Sequence, residues 1–160
     1  MERFWGKYRG IVVDNADPLM LGRLRISAPQ VLGATRGGWA MPCVPYAGPQ
    51  IGLCMTPPIG AGVWIEFEGG DPEDPIWTGC FWHEGERPLE AMLPNCQLIR
   101  TGSATLMLDD SPGAGGFAFT VSNPAAAVPI RIRADSDGLT IECGETRLTL
   151  SDAGGIQLTH

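Results

Sequence analysis

The sequence predicts an all-β protein, and three observations carry that prediction. Apolar and polar residues alternate with period two in one short segment after another. The alternation is clearest where Val63, Ile65 and Phe67 face one way and Trp64, Glu66 and Glu68 the other. A polar Gly69–Pro75 loop, unsuited to a helix, then leads to a second aromatic segment, Ile76–Trp82, completing a hairpin. Finally, 22 Gly and 14 Pro among 160 residues punctuate the chain often enough to favour short strands over long helices.

Each element follows in order. Lys7–Val13 reads as a strand and Asp14–Pro18 as a turn. Gly22–Ala28 alternates Leu24 and Ile26 against Arg23 and Arg25, a second strand that Pro29 ends. Gly33–Gly38 reads as a loop. Trp39–Val44 carries Pro42, which predicts a sheet edge or an irregular segment. Tyr46–Gly52 reads as loop, and the hairpin at 57–82 supplies the last two strands. About five short strands in 82 residues fit a small barrel of the OB type, whose closure removes exposed edges. Residues 83–97 carry charges and prolines without alternation and read as a linker, with room for one helical turn between Pro88 and Pro94. From Leu98 the alternation returns, in Thr105–Leu108, Phe117–Val121, Ile130–Arg133, Leu139–Cys143, Arg147–Leu150 and Ile156–Thr159. Three regions result: 1–82, 83–97 and 98–160.

The last region poses a physical problem. A chain of about 60 residues buries only about 60% of its surface when folded alone. Here the apolar side chains are mostly aliphatic: Ile130, Ile132, Leu139, Ile141, Leu148, Leu150, Ile156 and Leu158. This thin stripe predicts a partner surface, and the simplest partner is another copy of the chain in a closed cyclic assembly.

Charge and composition exclude some functions. With 11 basic against 18 acidic residues the net charge is −7, a poor start for binding phosphates. The pairs Arg23/Arg25 and Arg131/Arg133 read as solvent faces of strands. Cysteines stand at 43, 54, 80, 96 and 143, an odd count with no CxxC pair, which predicts free thiols in a reducing cytoplasm. The N-terminus has no apolar core of a signal peptide, and no apolar run is long enough to span a membrane as a helix.

No catalytic set is legible. His83 sits in the linker beside Glu84, without a nucleophile motif such as GxSxG. Asp71, Glu73 and Asp74, and the pair Asp109–Asp110, lack EF-hand spacing and read as solvated turns. Gly113–Gly116 lacks the Lys-Ser/Thr ending of a phosphate loop. His160 is the final residue; three copies meeting on an axis would offer a metal three imidazoles, while a frayed end is the plainer reading. No cofactor is expected. The aromatics Trp64, Trp77, Phe81 and Trp82 suit a base-stacking platform on an OB sheet, or else barrel core and a docking face; Glu66 and Glu68 beside Trp64 favour the second.

Three segments together carry a family resemblance: YRGIVVDNADPLMLGRLRISAPQVLG, GWAMPCVPYAG and PPIGAGVWIEFEGGDPEDPIWTGCFW. In this order they resemble the OB-fold domain of contractile-tail spike proteins, a group comprising phage baseplate assembly protein V, the tail-lysozyme hub and VgrG-type spikes. LIRTGSATLMLDD is similar to the stretch that opens the β-structured shaft of these proteins. The resemblance implies an OB-fold collar followed by a short trimeric β-prism or β-helix shaft. It implies a homotrimer with a hub or tube protein at the OB end, assembled in the bacterial cytoplasm into a phage-like or injection particle. The short shaft points to a separate PAAR-like tip protein against His160. No lysozyme insert and no HxH pair near the end are present, so cell-wall hydrolysis and an iron-capped tip are not implied. The spike would supply rigidity and attachment, with Val63, Trp64, Ile65, Phe67, Trp77, Phe81 and Trp82 as OB core or docking face. The alternatives are an OB-type binder of single-stranded nucleic acid, tested by salt-dependent oligonucleotide binding, and an envelope-degrading enzyme, tested by peptidoglycan turnover.

Overall fold

A computed structural model describes residues 2–33 and 38–160. Most of the loop expected at Gly33–Gly38 lies outside the described residues. The chain divides into two compact units, 1–86 and 87–160.

The first unit holds β1 (Tyr8–Asp14), β2 (Leu24–Ser27), the one-turn helix α1 (Pro29–Leu32), β3 (Trp39–Pro42), the short β4 (Ala47–Gly48) and β5 (Ile51–Gly52), then β6 (Gly62–Phe67) and β7 (Pro75–Phe81). Five of these strands close a barrel in the order β1-β2-β3-β7-β6. The alternation on β6 places Val63, Ile65 and Phe67 inside, where they meet Val12, Leu24, Ile26, Ala40 and Trp77 in the core. Phe4 and Tyr8 pack on this core, with ring centroids 5.9 and 5.8 Å from that of Phe67.

Three details differ from the sequence expectation. Pro29 ends β2, as its ring geometry demands, but it also opens α1 from a first-turn position that needs no N–H. Leu32 of that helix joins the barrel core. β3 is not an edge: it pairs antiparallel with β2 and parallel with β7, closing the barrel. Pro42 is tolerated there because the next residue, Cys43, donates to the Trp77 carbonyl at 2.9 Å, while the Pro42 nitrogen faces the other side, beyond the start of β2. Tyr46–Gly52 is a small hairpin, β4 pairing with β5, not a loop alone. Its turn places Gln50 at φ 63°.

The second unit opens with a 3-10 turn at Leu89–Met92 between Pro88 and Pro94. Seven strands follow: β8 (Cys96–Arg100), β9 (Ala104–Asp109), β10 (Gly116–Val121), β11 (Ile130–Asp135), β12 (Gly138–Cys143), β13 (Thr146–Ser151) and β14 (Gly155–Thr159). They form one antiparallel meander in chain order. Cys96 and Gln97, read from sequence as linker, belong to β8, which pairs along its length with β9. Among the described residues of this unit only Cys96 is fully buried. A sheet normally buries one face against a second layer. This unit has one layer.

Candidate functional site

The register of the meander assembles a continuous apolar face. Residues directly opposite each other in an antiparallel sheet lie on the same side. One row therefore runs through Ile99, Leu106, Phe119, Ile132, Ile141, Leu148 and Leu158, one large apolar side chain from every strand. A second row on this face holds Gln97, Leu108, Phe117, Ala134, Leu139, Leu150 and Ile156. A third holds Ala104, Val121, Ile130, Cys143 and Thr146. From strand spacing, the face measures about 29 Å across the strands and about 14 Å along them. That is about 400 Å², at the size where an exposed apolar patch marks an interaction site.

All eight aliphatic residues singled out in the sequence fall on this face. Ile156 and Leu158 on the edge strand β14 are 76% and 72% exposed. Ile130 and Ile141 are also exposed, and Ile132, Leu139, Leu148 and Leu150 are half-buried by their neighbours within the sheet. Sequence reasoning missed the share of β8–β10: Ile99, Leu106, Leu108, Phe117, Phe119 and Val121. Alternation in these strands held the signal, but only the pairing register shows that they extend the same rows.

The opposite face is mostly polar, with Leu98, Met107 and Ala118 as apolar positions toward the β8 side. Arg100, Thr105, Thr120, Arg131, Glu142, Arg147 and Thr159 stand in one cross-strand row. Glu142 receives Arg147 at 2.7 Å and Arg131 at 3.8 Å. Arg100 forks onto Glu90 at 2.8 and 3.1 Å, and that guanidinium holds the Glu90 carboxyl below its usual range. The Ser111 hydroxyl and then its N–H do the same for Asp109. A concavity of about 590 Å³ on this face is lined by Arg100, Arg131 and Arg133, yet each is paired, with Glu90, Glu142 and Asp135 respectively. Such exposed pairs contribute little stability but keep the face hydrophilic. His160, just beyond β14, lies with its Nδ1 2.9 Å from the Thr146 hydroxyl at the end of the third apolar row.

In the first unit the seven residues named as core or docking face separate into two groups. Val63, Ile65, Phe67 and Trp77 are interior. Trp64 and Phe81 meet outside in a tilted contact at 5.0 Å between centroids, and the Arg9 guanidinium lies over both rings, at 5.6 and 5.4 Å. A cation already covers that aromatic pair, so it is not laid out as an open stacking platform. A bulge places Phe81 outside: two steps of β6, Val63 to Ile65, face three steps of β7, Trp77 to Cys80, with Gly79 at φ 143°. Gly62 leaves room for the Phe81 ring, since a Cβ there would sit 2.7 Å from it and make it shift. Trp82 is 61% exposed. Partial desolvation by its neighbours pushes the thiol of the surface residue Cys80 up, away from nucleophilic character. Among the described residues, no group of three or more His, Cys, Asp or Glu converges as metal ligands, and no helix is long and apolar enough to cross a membrane.

The turn joining β1 to β2 is the most organised part of this unit. The Asp17 carboxylate accepts from the N–H groups of Leu19, Leu21 and Arg23 and from the Arg23 guanidinium, the shortest contact being 2.7 Å. Its side chain is only 4% exposed. Arg23, expected on a solvent face, instead closes this ion pair and lies 5.4 Å over the Trp39 ring.

A closed five-stranded barrel with this order, followed by an antiparallel β-meander, defines the class: an OB domain joined to a β-structured appendage. Residues 8–82 match the family model described as the Type VI secretion system/phage-baseplate injector OB domain. The chain is also similar to the Type VI secretion system spike protein VgrG5 of Pseudomonas aeruginosa, 32% identical over 80 residues. That similarity spans 49% of this chain and 9% of the relative's length. The barrel is thus an OB domain of the kind found in spike and baseplate proteins.

Proposed function

We propose that the chain is a structural spike component of a contractile injection apparatus, working as a homotrimer. The observation that carries the reading is the apolar face of a single-layer sheet that follows an injector-type OB barrel in the chain. Three copies packed face to face supply the missing second layer, with the rows through Ile132 running along the shared axis and the Arg–Glu rows facing solvent. At about 25 cal/mol per Å², covering about 400 Å² on each copy is worth about 10 kcal/mol per copy before ordering costs, as much as an ordinary domain's whole stability. The barrels form a collar that meets a hub or tube protein, and the β14 edge and His160 meet a separate tip protein. The assembled shaft transmits axial load into the target envelope and performs no chemical step. Assembly takes place in the bacterial cytoplasm. Light scattering on the purified full chain tests the reading: a trimeric mass supports it, and a folded monomer at micromolar concentration removes it.

A further inference from the structure

We infer that the OB unit carries a second self-docking surface, separate from the sheet face, in which the Leu19–Leu21 turn of one copy enters an apolar recess on the next. The turn is a rigid knob. Met20 is 90% exposed and Leu21 52%, and Met20 holds φ 54°, a conformation that non-glycine residues rarely adopt. Asp17 fixes that conformation through its bonds to Leu19, Leu21 and Arg23, and the Trp77 indole donates to the Gly22 carbonyl at 3.1 Å, tying the turn to the barrel. Besides stabilising the turn, the Asp17 carboxylate holds its large apolar side chains out in water. It removes the ordering cost of docking them elsewhere.

The recess lies on the same unit. Cys43, Val44, Leu53, Met55 and Trp77 line a cavity of about 360 Å³. Leu53 and Met55 also line a larger neighbouring groove of about 660 Å³ that Met20 and Leu21 border. A surface that bears both an apolar knob and an apolar recess is complementary to itself, which is the requirement for contacts between identical copies. Charge permits the same occupant. Every copy carries −7, so copies repel except where they meet on neutral surface. No Asp, Glu, Lys, Arg or His occurs between Arg36 and Glu66, and neither cavity is lined by a charged residue. A second copy therefore docks here without placing like charges together.

Cysteine chemistry on the full chain tests this contact. Met20→Cys is oxidised mildly, and covalent species are separated under denaturing, non-reducing conditions. Inter-chain disulfides joining position 20 to Cys43, abolished by adding Cys43→Ser, are expected. In the unmodified chain, maleimide labelling of Cys43 is expected to slow as protein concentration rises. No inter-chain bond at Cys43, together with labelling independent of concentration, overturns the inference. Its failure is distinguishable from that of the spike reading. A trimeric mass without the cross-link rejects only this contact, whereas the cross-link in a chain that never reaches trimeric mass supports the contact and rejects the spike.

Discussion

Asp17 governs the local conformation of the β1–β2 turn, and its protonation state has a readable consequence. Hydrogen bonding to the Arg23 guanidinium, then to three backbone N–H groups, holds its carboxyl well below the usual carboxylate range. A depressed folded-state value means that the stabilisation is fully present above the unfolded value of about 4 and is lost as pH falls through the folded value. Thermal melts at pH 7 and at successive steps below pH 4 should show the unmodified barrel losing stability across that acid window. Asp17→Asn should melt lower at pH 7 and lose less on acidification. Parallel pH profiles for the two proteins would contradict the role given to this carboxylate. Asp17 was legible in sequence only as a turn residue. Its ion pair with Arg23 was not, because strand alternation assigned Arg23 to solvent while the strand in fact begins one residue later.

At the scale of single elements, β6 is the strand on which barrel stability most depends. Ile65 is fully buried between Tyr8 of β1 and Trp77 of β7 in register. Ile65→Ala should cost about 3 kcal/mol in a denaturant titration, the combined loss of transfer energy and packing around a cavity. Trp64→Ala, on the outer face, should cost distinctly less. Equal losses would mean that the inside-outside division of β6 is wrong. That division was plain in the sequence because period-two alternation is a local signal. The bulge at Gly79 was not, since an inserted residue shifts the period without changing composition. The parallel β3–β7 pair was equally hidden: it joins residues 35 apart in the chain, and Pro42 argued locally for an edge. In the second unit six of seven strands could be read from alternation. The seventh, β8, straddles the boundary: Cys96 and Gln97 read with the proline-rich stretch before it, and Leu98–Arg100 alone are too short to show alternation.

The whole molecule presents two different surface problems. Its barrel is a closed structure with its own core, whereas its meander has apolar side chains on one face and no second layer within its own unit to cover them. Ile132→Asp places a carboxylate at the centre of the longest apolar row, beside Phe119 and Ile141. It should abolish assembly through the sheet while leaving the barrel melt intact, because a buried charge on each copy would face its symmetry mates without partners. The most direct measurement is the mass of the full chain by size-exclusion chromatography with light scattering, alongside that variant. A trimer for the unmodified chain and a smaller species for Ile132→Asp are predicted. A stable, cooperatively folded monomer, or a mass unaffected by the aspartate, would contradict the claim that the sheet face is an interface between copies.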